Sequence, residues 1–168
     1  MVKGSERMEP SERLDTLEQI VSTYSPMLLR LACTRLDSPA DAEDAVQEVF
    51  LRLLARPVEF RDGEHEKAWL IRTTLHRASD IRRRAEKKNL PLEAAGEVSA
   101  PEEPGTDYIL DAVRSLPAKY SGILYLHYYE GYTAKEIGKL LGLPSATVGT
   151  RLARGRERLK TLLREEIA

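Results

Sequence analysis

Trp69, Thr73, His76 and Asp80 recur every three or four residues, so a helical step of 100° per residue sets them in one line. Arg72, Arg77, Arg83 and Arg84 flank that line. A ring on which bases stack, hydrogen-bonding groups beside it and guanidinium groups that pair with phosphates together suit single-stranded nucleic acid. The plainer alternative is that Trp69 packs under the preceding loop while the arginines serve solubility. A change of charge sign at the same place favours nucleic acid. Residues 1–66 hold 8 basic and 14 acidic side chains, net -6, whereas residues 67–90 hold 8 basic and 2 acidic, net +6.

A second constellation lies near the C-terminus. Glu136-Ile137-Gly138, Leu140 to Leu143 and the run from Ser145 to Arg158 have the spacing of a helix-turn-helix, with a glycine at the turn. Val148, Leu152, Leu159 and Leu163 form the core stripe of the second helix, and Thr147, Arg151, Arg154 and Arg158 run beside it as a basic stripe suited to a major groove. An ordinary helical hairpin with a basic surface explains the spacing less well. A third constellation is acidic. On a helix from Ala42, the residues Ala42, Ala45, Val46, Val49, Phe50 and Leu53 face the core, while Asp44, Gln47 and Glu48 surround Leu51 on the far side. Taken alone, this patch is either a solvated face with one stray leucine or a docking surface for a basic partner helix.

No constellation argues for catalysis. His65, His76, His127 and Cys33 lack metal-type spacing, and there is no phosphate-cradling glycine loop or nucleophile elbow. No metal, no cofactor and no enzymatic activity is therefore expected. Asp41, Glu43 and Asp44 fit helix N-terminal charge better than an acid and base cluster.

The elements that must position these faces are helical. The chain has 168 residues with net charge -1, 42% hydrophobic and 32% charged, and shows no alternating run bounded by hairpin turns. Residues 91–107 combine Pro91, Gly96, Pro101, Pro104 and Gly105 with 5 acids and no base, which reads as a flexible acidic linker. The expected architecture is all-α. It has a disordered start over residues 1–13, a helical unit over 14–90, the linker over 91–107 and a second helical unit over 108–168 that carries the helix-turn-helix. Helices are expected near residues 14–36, with a possible break at Pro26, and from Pro39, then near 66–87, 108–115, 118–130, 133–141 and 145–166. The C-terminal unit, about 60 residues, is marginal in burial by itself and is expected to need a partner to stay in place. No apolar run approaches the roughly 18 residues of a membrane span, the N-terminus lacks a signal-peptide core and Cys33 is alone, so a cytoplasmic setting is expected.

With these residues in view, the chain resembles the extracytoplasmic-function group of bacterial sigma factors. The resemblance is carried by the run from Asp41 to Phe50, by Trp69-Leu-Ile-Arg72, Asp80-Ile-Arg-Arg-Arg84 and Leu116-Pro117, by the run from Tyr128 to Ile137, and by Thr147-Val148 with Arg151 and Arg154. It implies an alternative sigma factor that binds core RNA polymerase and directs it to promoters. In that scheme Asp44, Gln47, Glu48 and Leu51 dock on the clamp helices of the largest polymerase subunit. Phe60, Arg61, Trp69, Arg72, Thr73, His76, Asp80, Arg83 and Arg84 capture the melted minus-ten element, and Thr147, Thr150, Arg151, Arg154 and Arg158 read the minus-thirty-five duplex. The acidic linker follows the RNA exit path. An anti-sigma factor is the implied regulator. Thr150, Arg151 and Arg154 are expected to dominate duplex binding, because Gly149 and Ala153 replace larger side chains. His76 stands where asparagine is common, and Ser121-Gly122 replace a commonly charged pair whose purpose the sequence does not explain. A stand-alone helix-turn-helix repressor and a helical protein-binding adaptor are the rival readings; the first lacks a heptad seam for dimerisation.

Overall fold

The computed structural model describes residues 9–88 and 108–167, so the expectations for residues 1–8 and for the linker fall outside the described part. Seven helices account for the described chain, with no strand among the described residues.

Helix α1 (Pro10–Ala32) starts earlier than the apolar periodicity predicts. Pro10 occupies the first turn, where its missing N–H costs nothing, and Glu9 and Glu12 form a reciprocal capping box, the Glu9 amide donating to Glu12 Oε2 at 3.2 Å. Residues 10–13, expected to be disordered, are therefore helical. Pro26 does not break α1. The helix ends at Ala32, short of the expected position, because the Thr34 amide turns back to the Leu31 carbonyl and the Leu36 amide to that of Ala32.

Helix α2 (Pro39–Ala55) opens at Ser38, whose hydroxyl accepts from the Asp41 amide, and it buries the six residues of the predicted stripe, Ala42, Ala45, Val46, Val49, Phe50 and Leu53. Helix α3 (Gly63–Lys87) begins three residues before the expected start, because Asp62 caps the His65 amide at 2.8 Å. It buries Leu70, Ile71, Thr74, Leu75 and Ala78, leaving Ala68 and Ile81 half-buried. These three helices pack on one another as one bundle.

In the C-terminal half, α4 (Tyr108–Ser115), α6 (Ala134–Leu141) and α7 (Ser145–Ile167) surround α5 (Ala118–Tyr128). The helix-turn-helix is α6 and α7. Thr133 and Glu136 form a capping box at the start of α6, and Gly142 ends it in the left-handed conformation at φ 69° while the Leu143 amide returns to the Gly138 carbonyl at 2.8 Å. That return brings the chain so close that a Cβ on residue 138 would lie 2.6 Å from the Leu143 carbonyl oxygen. Only glycine fits. The buried side chains of the two halves form one continuous apolar cluster, from Ile20 and Leu28 through Leu70 and Leu75 to Leu126, Ile137 and Leu152.

Two glycine replacements should move stability in opposite directions. Gly138→Ala forces a shift of the turn backbone and should cost about 1–3 kcal/mol. Gly149 sits inside α7 with open space around its Cα, so Gly149→Ala should stabilise by up to about 1 kcal/mol. Urea unfolding midpoints of the two variants against the parent chain check both signs.

Candidate polymerase and nucleic-acid interfaces

The acidic face of α2 is assembled as expected. Asp44, Gln47 and Glu48 are exposed, and Leu51 protrudes among them with 61% of its surface in solvent. Leu54 lies exposed one turn further on. One carboxylate is already engaged: Arg77 of α3 holds Glu48 in a two-point ion pair, with Nε on Oε2 and Nη2 on Oε1 at 3.0 Å. Asp44 has no ion-pair partner among the described residues, so it carries the uncompensated charge of the patch.

The Trp69 line is more structured than its sequence suggests. Phe60, in the loop before α3, meets His65 and Trp69 edge to face, with ring centroids 5.5 and 5.8 Å away. Trp69 is half-buried. The ring packs against the loop, as the plainer alternative has it, and keeps an accessible side. The loop is tied at its base by the Arg61 amide, which donates to His65 Nδ1 at 3.1 Å. Thr73 spends its hydroxyl on the Trp69 carbonyl at 2.7 Å, whereas Arg72 and His76 are exposed and stand beside a cavity between the halves. Asp80 pairs with Arg83 one turn on, which leaves Arg84 without an ion-pair partner among the described residues.

On α7, Thr150, Arg154 and Arg158 are exposed, while Thr147 and Arg151 are half-buried. The Thr150 hydroxyl donates to the Ala146 carbonyl at 3.0 Å, and the Arg158 guanidinium lies 5.2 Å from the centre of the Tyr120 ring. Arg151, Arg154 and Arg158 all lack an ion-pair partner among the described residues, and of the three Arg154 is exposed and stands on no ring.

Three residues that sequence reasoning did not single out also belong here. Arg35, just past α1, donates to the Leu75 carbonyl at 3.2 Å and to Ser79 Oγ at 2.5 Å, while its Nε is buried without a partner. Burial, and then the neighbouring Arg82, lower its pKa. Lys67 of α3 bonds Glu130 across the two halves at 2.9 Å and lies 5.4 Å from the Tyr132 ring centre. Lys119 joins Arg35, Arg72, His76 and Arg151 in lining a cavity of about 210 Å³ between the halves. No periodicity could reveal these contacts, because they join positions many tens of residues apart. The described residues contain no group of three or more His, Cys, Asp or Glu side chains able to hold a metal, and none of their helices is long and apolar enough to cross a membrane.

Residues 20–88 match the family described as Sigma-70 region 2, and residues 106–159 the family described as Sigma-70, region 4. The all-helical fold is shared with the sigma factor RpoE solved in complex with the anti-sigma factor NepR from Bartonella quintana, at a TM-score of 0.71 and 24% identity over 89% of this chain and 97% of that one. It is shared also with CnrH, solved with the cytosolic domain of CnrY, at a TM-score of 0.61 and 22% identity over 90% of both chains. The class is thus a sigma-70-type protein carrying regions 2 and 4. Within it, the chain is 30% identical to the ECF RNA polymerase sigma factor SigW of Bacillus subtilis over 90% of each protein, and 27% identical to SigL of Mycobacterium tuberculosis over 89% of each. The chain belongs to the extracytoplasmic-function RNA polymerase sigma factors, and it acts as an alternative sigma factor that directs promoter-specific transcription. Neither rival reading is favoured, since the region 2 match accounts for the half of the chain that a lone helix-turn-helix leaves unexplained.

Asp62→Ala should cost about 1 kcal/mol by removing the cap of α3. It should also loosen the Phe60, His65 and Trp69 cluster. Trp69 is the only tryptophan, so its fluorescence reports the local change directly, and an emission maximum identical to the parent's would mean that the cap does not hold the cluster.

Proposed function

We propose that α2 grips the clamp helices of the largest polymerase subunit through Asp44, Gln47, Glu48 and Leu51, while α3 and α7 hold promoter DNA. The observation that carries this reading is the exposed leucine beside an unpaired Asp44 on α2, set against α3 and α7, which carry the exposed cations Arg72, Arg84 and Arg154 without ion-pair partners among the described residues. An apolar knob in an acidic surround fits a basic helix that also offers an apolar stripe. Core polymerase and promoter DNA are the partners of sigma factors generally.

On α3 and the loop before it, Phe60, Arg61, Trp69, Arg72, Thr73 and His76 form the surface for the melted minus-ten strand, with Asp80, Arg83 and Arg84 at its C-terminal end. Extruding a base costs a few kcal/mol, and stacking on Trp69 together with phosphate contacts from Arg72 and Arg84 supplies energy of that order. On α7, Thr147, Thr150, Arg151, Arg154 and Arg158 face the minus-thirty-five duplex, with Arg154 foremost because it is exposed and uncompensated. In this scheme residues 14–90 work as region 2, residues 91–107 as an acidic connector along the RNA exit path and residues 108–168 as region 4. The protein works in the cytoplasm, where the polymerase is, and has no catalytic residue of its own. An anti-sigma factor regulates it; the solved relatives RpoE and CnrH, each held by a partner protein, support that assignment.

The decisive experiment reconstitutes the chain with core polymerase and measures run-off transcription from a cognate promoter. Asp44→Asn should lower holoenzyme assembly severalfold with folding unchanged, and it is the cleaner probe because replacing Glu48 also breaks the pair with Arg77. Unchanged assembly removes the docking assignment. Arg154→Ala should weaken binding to minus-thirty-five duplex and reduce the slope of affinity against salt by about 1. Adding single-stranded minus-ten DNA to holoenzyme should quench the fluorescence of a region 2 tryptophan in a polymerase whose own tryptophans are silent; a signal insensitive to DNA counts against stacking on Trp69.

A further inference from the structure

The cations that line the cavity between the halves come from four different elements. Arg35 follows α1, Arg72 lies on α3, Lys119 on α5 and Arg151 on α7, with His76 one turn after Arg72. No helical stripe gathers them. The Ser121 hydroxyl donates to the Thr34 carbonyl at 2.7 Å and so seats α5 beside the residue before Arg35, which lets Lys119 and Arg35 line one space. Other arginines of the two halves are neutralised: Arg77 by Glu48, Arg82 by Glu86, Arg83 by Asp80 and Arg114 by Asp111. The cavity is different. No Asp or Glu lines it, and the side chains of Arg72 and Arg151 have neither an ion-pair nor a hydrogen-bond partner among the described residues. Arg35 is anchored to the Leu75 carbonyl and to Ser79, yet its Nε is buried without a partner. Burial first, and then Arg82, hold its pKa below the ordinary value, with no opposing carboxylate in the cavity wall.

We infer that this cavity is a binding site for a diphosphate group. Repulsion among cations that no carboxylate of the cavity wall cancels is relieved by an anion carrying several charges close together, and guanidinium groups pair with phosphate oxygens two at a time. Size selects among anions. At about 210 Å³ the space falls short of the roughly 300 Å³ of sites that enclose a drug-sized ligand, so a whole nucleotide does not fit inside. A diphosphate does, and its two linked phosphates offer more oxygens to cations from four elements than a single phosphate offers. Much of the remaining wall is apolar, with Leu75, Ile123 and Leu140 buried in it, and low polarity there strengthens each charged contact. Arg72, His76 and Lys119 are exposed, so the cavity opens to solvent. The group enters either as free pyrophosphate or as the end of a nucleoside diphosphate whose base stays outside; the chemistry recognised is the same. One consequence rests on the proposed DNA-reading roles of α3 and α7: a diphosphate that holds Arg72 and Arg151 withholds them from promoter phosphates.

The test titrates the full chain with inorganic pyrophosphate by calorimetry at about 0.1 M salt, where surface charges more than about 10 Å apart are screened. One ion should bind per chain. Arg72→Gln and Arg151→Gln should each weaken binding about tenfold, by removing a charge-assisted contact. Lys160→Gln removes the same charge from an exposed part of α7 outside the cavity and should leave binding unchanged. Arg35 is kept, because it also ties the turn after α1 to α3. Inorganic phosphate and sulfate should bind at least tenfold more weakly than pyrophosphate. A nucleoside diphosphate that binds as tightly as pyrophosphate extends the site to the end of a nucleotide, and one that fails to bind assigns it to the free ion; both sustain the inference. The absence of saturable binding to the parent chain overturns it. So does equal weakening by Lys160→Gln, or sulfate that binds as tightly as pyrophosphate, since either would reveal only a diffuse positive surface. Saturating pyrophosphate, at constant ionic strength, should also lower the affinity for minus-thirty-five duplex severalfold. Unchanged duplex affinity with pyrophosphate bound overturns the competition. Run-off transcription by the parent holoenzyme tests the sigma-factor reading separately, and a chain that ignores pyrophosphate leaves that reading as it stands.

Discussion

A helix that is buried around its whole circumference cannot leave one side in water. In α5 every residue from Tyr120 to Leu126 is buried. Helices α4, α6 and α7 cover part of that circumference, and α7 can come close because Gly155 has no side chain to collide with Leu124, whose Cδ1 would be 2.9 Å from a Cβ there. The rest is closed by the N-terminal half, through Thr34 and the side chains near Arg30 and Lys67. Tyr125 marks the boundary. Its ring is fully buried, and burial followed by the Glu130 carboxylate raises the pKa of its hydroxyl, which stays protonated and donates to Glu130. A C-terminal unit of about 60 residues is short of apolar burial by itself. Here its central helix makes up the shortfall on its neighbour.

Helix α3 is the element on which the other functions converge. One stripe, from Leu70 to Ala78, completes the N-terminal core. Its remaining surface is divided: Arg77 pairs with the acidic face of α2, Lys67 reaches Glu130, and Arg72 and His76 point at the cavity. The segregation of charge along the chain is therefore partly cancelled in space. Glu48 and Arg77 carry opposite charges within two patches of opposite sign, and their pairing takes one member from each. Exposed pairs of this kind contribute about 0–1 kcal/mol to stability, so the pairing matters more for which charges stay available to partners.

What the sequence made legible follows from what periodicity can carry. The α2 stripe was readable residue by residue, because one helix packing on one core obeys the 3.6-residue repeat without interference. The helix-turn-helix was readable from Gly138, Gly142 and the spacing between them, since the backbone there tolerates no Cβ at 138 and adopts positive φ at 142. The start of α1 was missed because its signal is local capping by Glu9, Pro10 and Glu12, and no apolar residue marks the first turn. The break considered at Pro26 did not occur, as burial of Met27, Leu28 and Leu31 outweighs one lost hydrogen bond. Of the candidate sites, the line of Trp69 and the stripe of Arg154 could be read as helix faces. Arg35, Lys67, Lys119 and Ser121 could not, because their partners belong to the other half of the chain.

Electrostatics and burial oppose each other at the junction of the halves. Arg35, Arg72, Lys119 and Arg151 approach the same cavity with no acidic side chain among the residues that line it. Like charges that line one cavity repel by an amount that falls with separation and with screening by water and salt, so this side of the junction gains nothing from electrostatics. The apolar cluster, the Ser121 hydroxyl and the Lys67 to Glu130 pair hold it from the other. The cations gathered at the junction are of the kind a polyanion attracts.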